Sequence, residues 1–490
     1  MATVNRRSLD AQLESLRRSA PLDADGALAR RYAPFIHFDE REPFFPSVVG
    51  YTIFRQGAPS ASFPRDIQLM AETAFAIEYA IWWDWDIQHL YELEHIWVYV
   101  DGDGGIAEAE ASWHGRYHQM RDESGRLPLR EGRLALYSEP GKHAFAPSPG
   151  WLLQRKVKTR ASCGARAGAM GLHVTPLFDG VILDDRPLNN RLVHTWLERQ
   201  QFEPSFAFNK SFDLRSTSFV RCAQLLDWVP ARVSAWLACL AAAIPPEQRR
   251  VLRIAHRGAS AYAAENSLEA IRAAAELGAD MVEIDIRATA DDVPVVIHDS
   301  SLRRTHGLEG DVSEFTMEAL RQMTAAERQV ISFDEALDQC RALGLGLYLD
   351  IKRLTIASAR AMFESLDARQ YVKHTIFGSF SPDYLADIKA ARPDARTSIL
   401  FGAVDIDPVK LAQSINADYV HPCWENRAAQ PHRLLTPDWI KAVRKANLGI
   451  VCWHEERPSE IAALKALGVD AICSDKPELL VEISAKARAL

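Results

Sequence analysis

The sequence predicts an α/β protein with a C-terminal (β/α)8 TIM barrel that is preceded by a mostly β N-terminal domain. After Val251, short β-branched runs alternate with helical stretches and give about eight strand–helix units, the number that a closed parallel barrel needs. Nine of the twelve tryptophans lie before residue 240, so the two halves differ in composition. Pro245 and Pro246 follow an apolar helical run that proline cannot continue, which predicts domains at 1–245 and 246–490.

The strands of the second half are predicted from runs of β-branched and apolar residues. They are Val251–Ala255, Met281–Ile286, Val293–Ile297, Leu345–Ile351, His374–Gly378, Thr397–Phe401, Ala417–His421, Leu448–Trp453 and Ala471–Ser474. Helical patterns lie between most of them, and the last is predicted over Pro477–Ala489. An open doubly wound sheet is the alternative. No G-x-G-x-x-G motif follows the first strand, which weakens the case for a dinucleotide site.

The first half has a less regular pattern. Ile96–Asp101 and Arg133–Tyr137 resemble strands, and Trp and Tyr are dense around them. Helices are predicted at the two ends of this domain, over Ser8–Arg18, Phe219–Leu225 and Ala231–Ala243. We therefore expect a β-rich core with helices at its beginning and end.

Composition excludes several classes of protein. Hydrophobic residues make up 48% and charged residues 25%, which is typical of a globular chain. The formal net charge of -8 gives no general attraction to nucleic acid, so no nucleic-acid partner is expected. The seven cysteines form no CxxC pair, which favours a reducing compartment. No apolar signal begins the chain, and the run Val233–Ile244 is too short to span a bilayer, so we expect a soluble, cytoplasmic protein without a transmembrane segment.

Polar residues cluster where predicted barrel strands end, which is where TIM-barrel active sites lie. His256 and Arg257 follow the first strand, and Glu283 and Asp285 lie two apart on one face of the second. The corresponding polar residues at the ends of later predicted strands are His298, Asp350 and Lys352. We expect these side chains to meet at one rim.

The three carboxylates Glu283, Asp285 and Asp350 are candidate ligands of a divalent metal. Glu283 and Asp285 have apolar neighbours, and buried adjacent carboxylates repel each other unless a cation lies between them. Oxygen ligands suit Mg²⁺ or Ca²⁺. The alternatives are an exposed strand face for the pair, and an ion pair with Lys352 for Asp350.

The two histidines are candidate catalytic acid and base groups, because imidazole titrates near neutral pH. His256 precedes Arg257 and His298 precedes Asp299, so each has a charged neighbour. The alternative for either histidine is a hydrogen-bonded core residue. Arg257 and Lys352 are candidate phosphate-binding groups, since a guanidinium can bind two phosphate oxygens at once.

These residues carry a resemblance to the glycerophosphodiester phosphodiesterase family over residues 251–487. The similar stretches are HRGASAYAAENSLEAI (256–271), GADMVEIDIRATADDVPVVIHDSSLRRT (278–305), LYLDIK (347–352), VCW (451–453) and GVDAICSDKP (468–477). The resemblance implies a TIM barrel with a divalent metal, which hydrolyses a glycerophosphodiester to glycerol 3-phosphate and an alcohol.

The resemblance also implies a role for individual residues. His256 and His298 match the catalytic histidines, Arg257 the phosphate-contacting arginine, and Glu283 and Asp285 two metal ligands. Asp350 stands where the family usually has Glu, and Lys352 matches the lysine that follows. Trp453 matches a tryptophan that lines the mouth, but the next residues are His454-Glu455-Glu456 instead of Thr-Val-Asn.

The first half contains a second candidate site. Glu94, His95, His114 and His143 are proposed as metal or catalytic residues, with a hydrogen-bonded β core as the alternative. Residues 32–155 resemble a β-rich domain of vacuolar-protein-sorting-associated proteins, which implies little about activity.

The sequence therefore predicts a metal-dependent phosphodiesterase whose partner is a small-molecule phosphodiester. The alternatives are lysophospholipase D-type hydrolysis of a lysophospholipid, a non-catalytic lipid- or glycan-binding module, and a separate hydrolase in the first domain. The headgroup, the oligomeric state and the choice of acid and base between the two histidines are left open.

Overall fold

The computed structural model describes residues 7–19, 23–184, 187–245, 248–325 and 329–481. These residues form two compact units: the first contains the described residues up to Pro245 except Pro187 and Leu188, and the second contains those two residues and the described residues from 248 onward. The helix predicted over Pro477–Ala489 lies outside the described residues from position 482 onward, and its first residues form a 3-10 turn, Pro477–Leu480.

The N-terminal unit is mostly β, as predicted. Its strands are β1 (Phe35–Phe38), β2 (Val48–Phe54), β3 (Ala58–Pro59), β4 (Asp66–Ile67), β5 (Thr73–Trp85), β6 (Leu90–Asp101), β7 (Ile106–Trp113), β8 (Arg116–Gln119), β9 (Leu129–Arg130), β10 (Arg133–Ser138), β11 (Phe145–Ala146), β12 (Lys210–Asp213) and β13 (Ser218–Arg221). One sheet has the order β13-β2-β5-β6-β7-β8, and a second has the order β11-β10-β1-β12 with β9 beside β10. The long antiparallel pair β5–β6 dominates the larger sheet.

Six α-helices accompany these sheets among the described residues. They are α1 (Arg7–Ser19), α2 (Ala24–Tyr32), α3 (Pro149–Leu153), α4 (Lys156–Cys163), α5 (Pro187–Glu198) and α6 (Cys222–Ala243). The two helices predicted near the end of this domain are one continuous helix, α6, which includes Pro230. Its buried side chains, among them Leu225, Val233 and Trp236, belong to the core of the unit.

Helix α6 is also long and apolar enough to cross a membrane, by length and composition only. Such a helix is weak evidence for a membrane span, because core helices of soluble proteins have the same properties. Arg232 in this helix forms an ion pair with Asp84 at 2.7 Å, and both side chains are largely buried. The absence of a transmembrane segment stays a prediction.

The C-terminal unit is a closed barrel of eight parallel strands. These strands are β14 (Leu252–Ala255), β15 (Met281–Ala288), β18 (Gly346–Arg353), β19 (Thr375–Ser379), β20 (Arg396–Phe401), β21 (Tyr419–Pro422), β22 (Gly449–Cys452) and β23 (Ala471–Ser474), and a hairpin adds β16 (Pro294–Val296) and β17 (Ile331–Ser332). The helices are α7 (Leu268–Glu276), α8 (Arg303–His306), α9 (Met317–Met323), α10 (Phe333–Leu343), α11 (Ile356–Ala368), α12 (Pro382–Ala391), α13 (Pro408–Ser414), α14 (Pro437–Lys445) and α15 (Pro458–Ala466). Strand β14 pairs with both β15 and β23, which closes the barrel.

One predicted barrel strand, Val293–Ile297, is not part of the barrel. Strand β16 pairs antiparallel with β15, with Val296 opposite Ile286. The connection between the two strands is too short for a parallel crossover, which needs about a dozen residues, so the chain turns back as a hairpin. His298 therefore reaches the barrel rim from a returning strand.

Gly258 shapes the turn that follows β14. It adopts φ +83°, and a Cβ there would lie 2.5 Å from Ala270 Cβ and 2.7 Å from its carbonyl carbon. Both the left-handed backbone and the close approach to α7 favour glycine.

We expect Gly258→Ala to lower the free energy of unfolding by about 2–4 kcal/mol, since it adds a steric clash to backbone strain. Urea denaturation of the full chain measures the loss. Gly307→Ala is the matched control, because Gly307 has φ +68° but no atom within 4 Å of the added Cβ. Equal losses in the two variants would contradict the role of the clash.

Candidate active site

The predicted carboxylates and cations meet at the C-terminal rim of the barrel. His256 and Arg257 follow β14, and the register of β15 and β18 places Asp285 directly opposite Asp350. Glu283 lies two residues before Asp285 on the same strand face. All three carboxylate residues are fully buried.

One oxygen of each carboxylate is held by a donor. Glu283 Oε2 accepts a hydrogen bond from the backbone N–H of Arg257 at 2.7 Å. Asp285 Oδ2 accepts one from Asn266 Nδ2 at 2.8 Å. Asp350 Oδ2 accepts the third, from Lys352 Nζ.

The other oxygens have no hydrogen bond in the described part of the chain: Glu283 Oε1, Asp285 Oδ1 and Asp350 Oδ1. Asp285 Oδ1 lies 3.2 Å from Lys352 Nζ, without hydrogen-bond geometry. The ligand atoms of the three residues all lie within 4.8 Å of one another. Buried acceptors without donors are costly, so this arrangement fits a divalent cation bound between the three carboxylates.

Burial and the neighbouring charges shift the pKa values of the three carboxylates in different directions. Burial raises the pKa of Glu283 well above its usual value, and the charges of Asp285 and Asp350 raise it further. Burial also raises the pKa of Asp350 to about 6, although Lys352 partly opposes this. For Asp285, burial is outweighed by the charges of Lys352 and Arg257, and its pKa is lowered. When all three carboxylates are ionised, one lysine and one arginine leave a negative charge that a further cation would balance.

His256 is held with one ring nitrogen facing the site. Its Nδ1 lies 2.6 Å from Asp475 Oδ1, so the carboxylate accepts the Nδ1 proton. Its Nε2 is buried and has no hydrogen bond among the described residues. The ring stacks on His454 at 4.7 Å and meets the edge of Trp453 at 5.3 Å. Burial lowers the pKa of His256, and the Asp475 carboxylate partly restores it.

His298 lies at the end of the hairpin. Its Nδ1 is 2.6 Å from Asp299 Oδ1, and its backbone carbonyl accepts a hydrogen bond from Arg287 Nε at 2.8 Å. Burial lowers the pKa of His298, and the nearby Asp285 carboxylate opposes that effect. His298 also lines an open cavity of about 500 Å³, together with Arg287 and Arg304.

The remaining predicted residues lie beside these groups. Arg257 has φ 52°, and its guanidinium lies 3.0 Å from Glu265 and 3.4 Å from Asp285. Lys352 Nζ lies 5.6 Å from the ring centre of Trp453. The structure thus brings together all eight residues predicted for this site.

Sequence reasoning gives no role to several partners of these residues. Asp475 orients His256, Asn266 holds Asp285, and Arg304 binds both Glu265 and Asp299. Asp475 and Asn266 lie within the stretches that carry the family resemblance, which is the signal that points to them. Arg304 also lies within such a stretch, residues 278–305, but its contact with Glu265 joins two separate stretches, and no local pattern predicts it.

The second predicted site is not formed as proposed. Glu94 and His95 are consecutive on β6, so their side chains face opposite sides of the sheet. Glu94 accepts a hydrogen bond from Ser112, and His95 Nε2 lies 2.9 Å from Ser62 Oγ. His114 contacts Glu139, and the ring of His143 stacks on Trp83. None of the potential metal-binding groups found among the described residues contains any of the four.

Comparison with known proteins relates the C-terminal half to one family. Residues 256–479 match the model of the glycerophosphoryl diester phosphodiesterase family. The chain is 27% identical over 248 residues to a glycerophosphodiester phosphodiesterase of Caldanaerobacter subterraneus, covering 48% of this chain and 99% of that protein. It is 34% identical over 147 residues to rat glycerophosphodiester phosphodiesterase 1, covering 28% of this chain and 44% of that protein.

Among solved structures, an Oleispira antarctica phosphodiesterase in complex with the product sn-glycerol-3-phosphate is 23% identical, with a TM-score of 0.41. The match covers 49% of this chain and 95% of that chain. The family match lies within the C-terminal unit, and the resemblance predicted for residues 32–155 stays a prediction.

Proposed function

We propose that this chain is a metal-dependent enzyme that hydrolyses glycerophosphodiesters to glycerol 3-phosphate and an alcohol. The proposal is supported by the match of residues 256–479 to the model of the glycerophosphoryl diester phosphodiesterase family, and by the similarity to a glycerophosphodiester phosphodiesterase of Caldanaerobacter subterraneus. One observation carries the metal dependence. Three buried carboxylates each direct an oxygen without a donor toward one small space, next to His256 and Arg257.

Each group has a task in this proposal. A divalent cation held by Glu283, Asp285 and Asp350, Mg²⁺ or Ca²⁺, supplies positive charge to the diester when it is bound. Arg257 and Lys352 bind phosphate oxygens and balance the charge that grows in the transition state. His256 and His298 transfer the protons: one accepts a proton from the attacking oxygen and the other donates one to the departing alkoxide.

A coupled assay for glycerol 3-phosphate tests this function. The purified full chain is incubated with glycerophosphocholine, glycerophosphoethanolamine or glycerophosphoglycerol, each with Mg²⁺, with Ca²⁺ and with EDTA. We expect turnover that depends on the metal. Release of an alcohol only from lysophospholipids would replace the proposed substrate class, and no turnover on either class would overturn the proposed activity.

We also propose a cytoplasmic location. None of the seven cysteines, all of which lie among the described residues, forms a disulfide, which supports a reducing compartment. Fractionation of cells that express the chain, followed by immunodetection, tests this location. Recovery in a secreted or organelle fraction would contradict it.

The hydrogen bond from His256 to Asp475 predicts a pH-dependent phenotype. Asp475→Asn removes the anion that favours the charged imidazole, so the pKa of His256 should fall further below its usual value. We expect kcat to fall by about 10- to 100-fold, as for other partners that orient a functional group. The limb of the pH–rate profile that belongs to His256 should also move to lower pH.

The pH–rate profiles of the variant and the wild type measure both effects. Asp383→Asn is the matched control, since Asp383 lies in the first turn of α12. A fall in kcat without movement of either limb would show that Asp475 serves only the local fold.

A further inference from the structure

The N-terminal unit contains a compact group of polar residues around the turn between β5 and β6. Asp86 directly follows β5, His89 directly precedes β6, and Glu92 is the third residue of β6. Asp86 is fully buried and His89 is 5% exposed, whereas the Glu92 side chain is 17% exposed. The group is therefore mostly enclosed and reaches solvent through Glu92.

The distances between the nitrogen and oxygen atoms of these side chains are similar to the distances between two ligand atoms of one metal ion. His89 Nε2 lies 3.8 Å from Asp86 Oδ1 and 3.6 Å from Glu92 Oε2. The ligand atoms of all three residues lie within 4.8 Å of one another. These separations are too long for hydrogen bonds. Two ligands that are each about 2.1 Å from one metal ion are separated by roughly 3–4 Å, which these distances match.

The orientation of His89 provides a second, independent observation. Its Nδ1 lies 2.8 Å from the carbonyl oxygen of Tyr91, so Nδ1 carries the proton and donates it. Nε2 then presents a lone pair toward one carboxylate oxygen of Asp86, at 3.8 Å, and one of Glu92, at 3.6 Å. Histidines that bind metals are typically held in this way, with the other ring N–H donated to a carbonyl.

The local charge also favours a further cation. Lys142 Nζ lies 2.7 Å from Asp86 Oδ2, the oxygen that does not face His89. Glu94 lies two residues beyond Glu92 on the same face of β6. When all three carboxylates are ionised, the single ammonium leaves a charge of about -2, which a divalent ion would neutralise.

We infer that the N-terminal unit binds a divalent cation of its own through Asp86, His89 and Glu92, separate from the metal proposed for the barrel. The ligand set of one imidazole and two carboxylates suits a first-row ion such as Mn²⁺ or Zn²⁺ better than Mg²⁺ or Ca²⁺. Lys142 limits the affinity of the site, because its ammonium competes with the ion for Asp86.

Counting bound Mn²⁺ by electron paramagnetic resonance tests the inference. The full chain is stripped with EDTA, dialysed and titrated in a Glu283→Gln background, which disables the barrel metal site. We expect one Mn²⁺ to remain bound in this background. His89→Gln and Glu92→Gln should each weaken that binding by on the order of 100-fold. Lys142→Gln should strengthen it by about tenfold, because it removes a competing positive charge.

The controls separate this site from the barrel site and from misfolding. His118→Gln removes an exposed histidine of β8 and should leave the binding unchanged. Glu92→Gln is isosteric with the protonated acid, so circular dichroism should show an unchanged metal-free fold. The inference is overturned if the Glu283→Gln protein binds no Mn²⁺, or if the further change of His89 or Glu92 leaves its affinity unchanged. Diesterase activity in the wild type tests the barrel proposal separately from either result.

Discussion

Replacing His256 by Gln should lower kcat for glycerophosphodiester hydrolysis by about 10³-fold, the typical contribution of a positioned acid–base group. His256 directs one nitrogen, Nε2, into the site and has no hydrogen bond there within the described chain. Glutamine keeps a side chain of similar size but cannot transfer a proton near neutral pH. KM should change much less than kcat, because Arg257 and Lys352, which we propose to bind the phosphate, remain in place.

The pH–rate profile distinguishes this role from a structural one. If His256 transfers a proton, one limb of the bell-shaped profile should disappear in His256→Gln, while the limb that depends on the other group remains. Burial lowers the pKa of His256, so its limb in the wild type should lie below the usual value for histidine, and that limb should be the one lost.

His374→Gln is the matched control for this experiment. His374 is exposed and directly precedes β19, at the end of the barrel opposite the site. It should keep wild-type kcat and both limbs of the profile. If His256→Gln retains kcat within about threefold, proton transfer must be assigned to another group.

Much of the barrel and its site follows from the sequence for a physical reason. Strands of a parallel barrel are buried on both faces, so each appears as a short apolar run, and chemistry is confined to the ends of these runs. The same rule, applied to the sequence alone, locates His256, Glu283, Asp285 and Asp350 correctly. These rim residues are predictable because strand direction alone determines which end of the barrel they reach.

Strand pairing and contacts between residues that are distant in the sequence cannot be predicted in this way. The run Val293–Ile297 has the composition of a barrel strand, and only its close spacing to β15 indicates a hairpin. His298 does lie at the rim, as predicted, but it arrives there on a returning strand. Arg304 reaches Glu265, which is 39 positions away in the sequence, and no local pattern predicts such a contact.

The N-terminal unit shows a different limit. The clustering of acidic and imidazole residues in the sequence does not indicate which of them face the same side of a sheet. The predicted second site therefore combines Glu94 with His95, although consecutive residues of a strand face opposite sides. Strand alternation, applied to β6, separates them and instead places Glu92 with Glu94. Asp86 and His89 lie in the preceding turn, where alternation gives no information about direction.

Replacing Glu283 by Gln should abolish metal-dependent turnover, with a loss of at least about 10³-fold, because a bound metal contributes several kcal/mol to transition-state stabilisation. Metal affinity at the barrel should fall by on the order of 100-fold. Gln retains the oxygen that accepts the hydrogen bond from Arg257 N–H. It therefore changes the charge of the ligand with little change to the local packing.

Stability measurements determine whether the loss comes from the metal or from the fold. Burial and the charges of Asp285 and Asp350 raise the pKa of Glu283 well above its usual value, which favours the neutral carboxyl in the metal-free protein. Gln mimics this neutral form, so the metal-free variant should unfold at nearly the wild-type temperature. In the wild type, metal at 100 times its Kd should stabilise the folded state by about 2.7 kcal/mol, and this gain should be absent from the barrel transition of the variant.

Scanning calorimetry with and without Mg²⁺, beside isothermal titration, measures these effects. Glu269→Gln, on the exposed surface of α7, is the matched control and should behave as the wild type in both experiments. A metal-free variant that unfolds well below the wild type would indicate that Glu283 supports the fold. A variant that still gains the full stabilisation from Mg²⁺ would show that the ion binds elsewhere. Glu283 is assigned to the metal only if the variant keeps the metal-free stability of the wild type and loses the response to Mg²⁺. In that case, the charged carboxylate is needed only when the cation is bound.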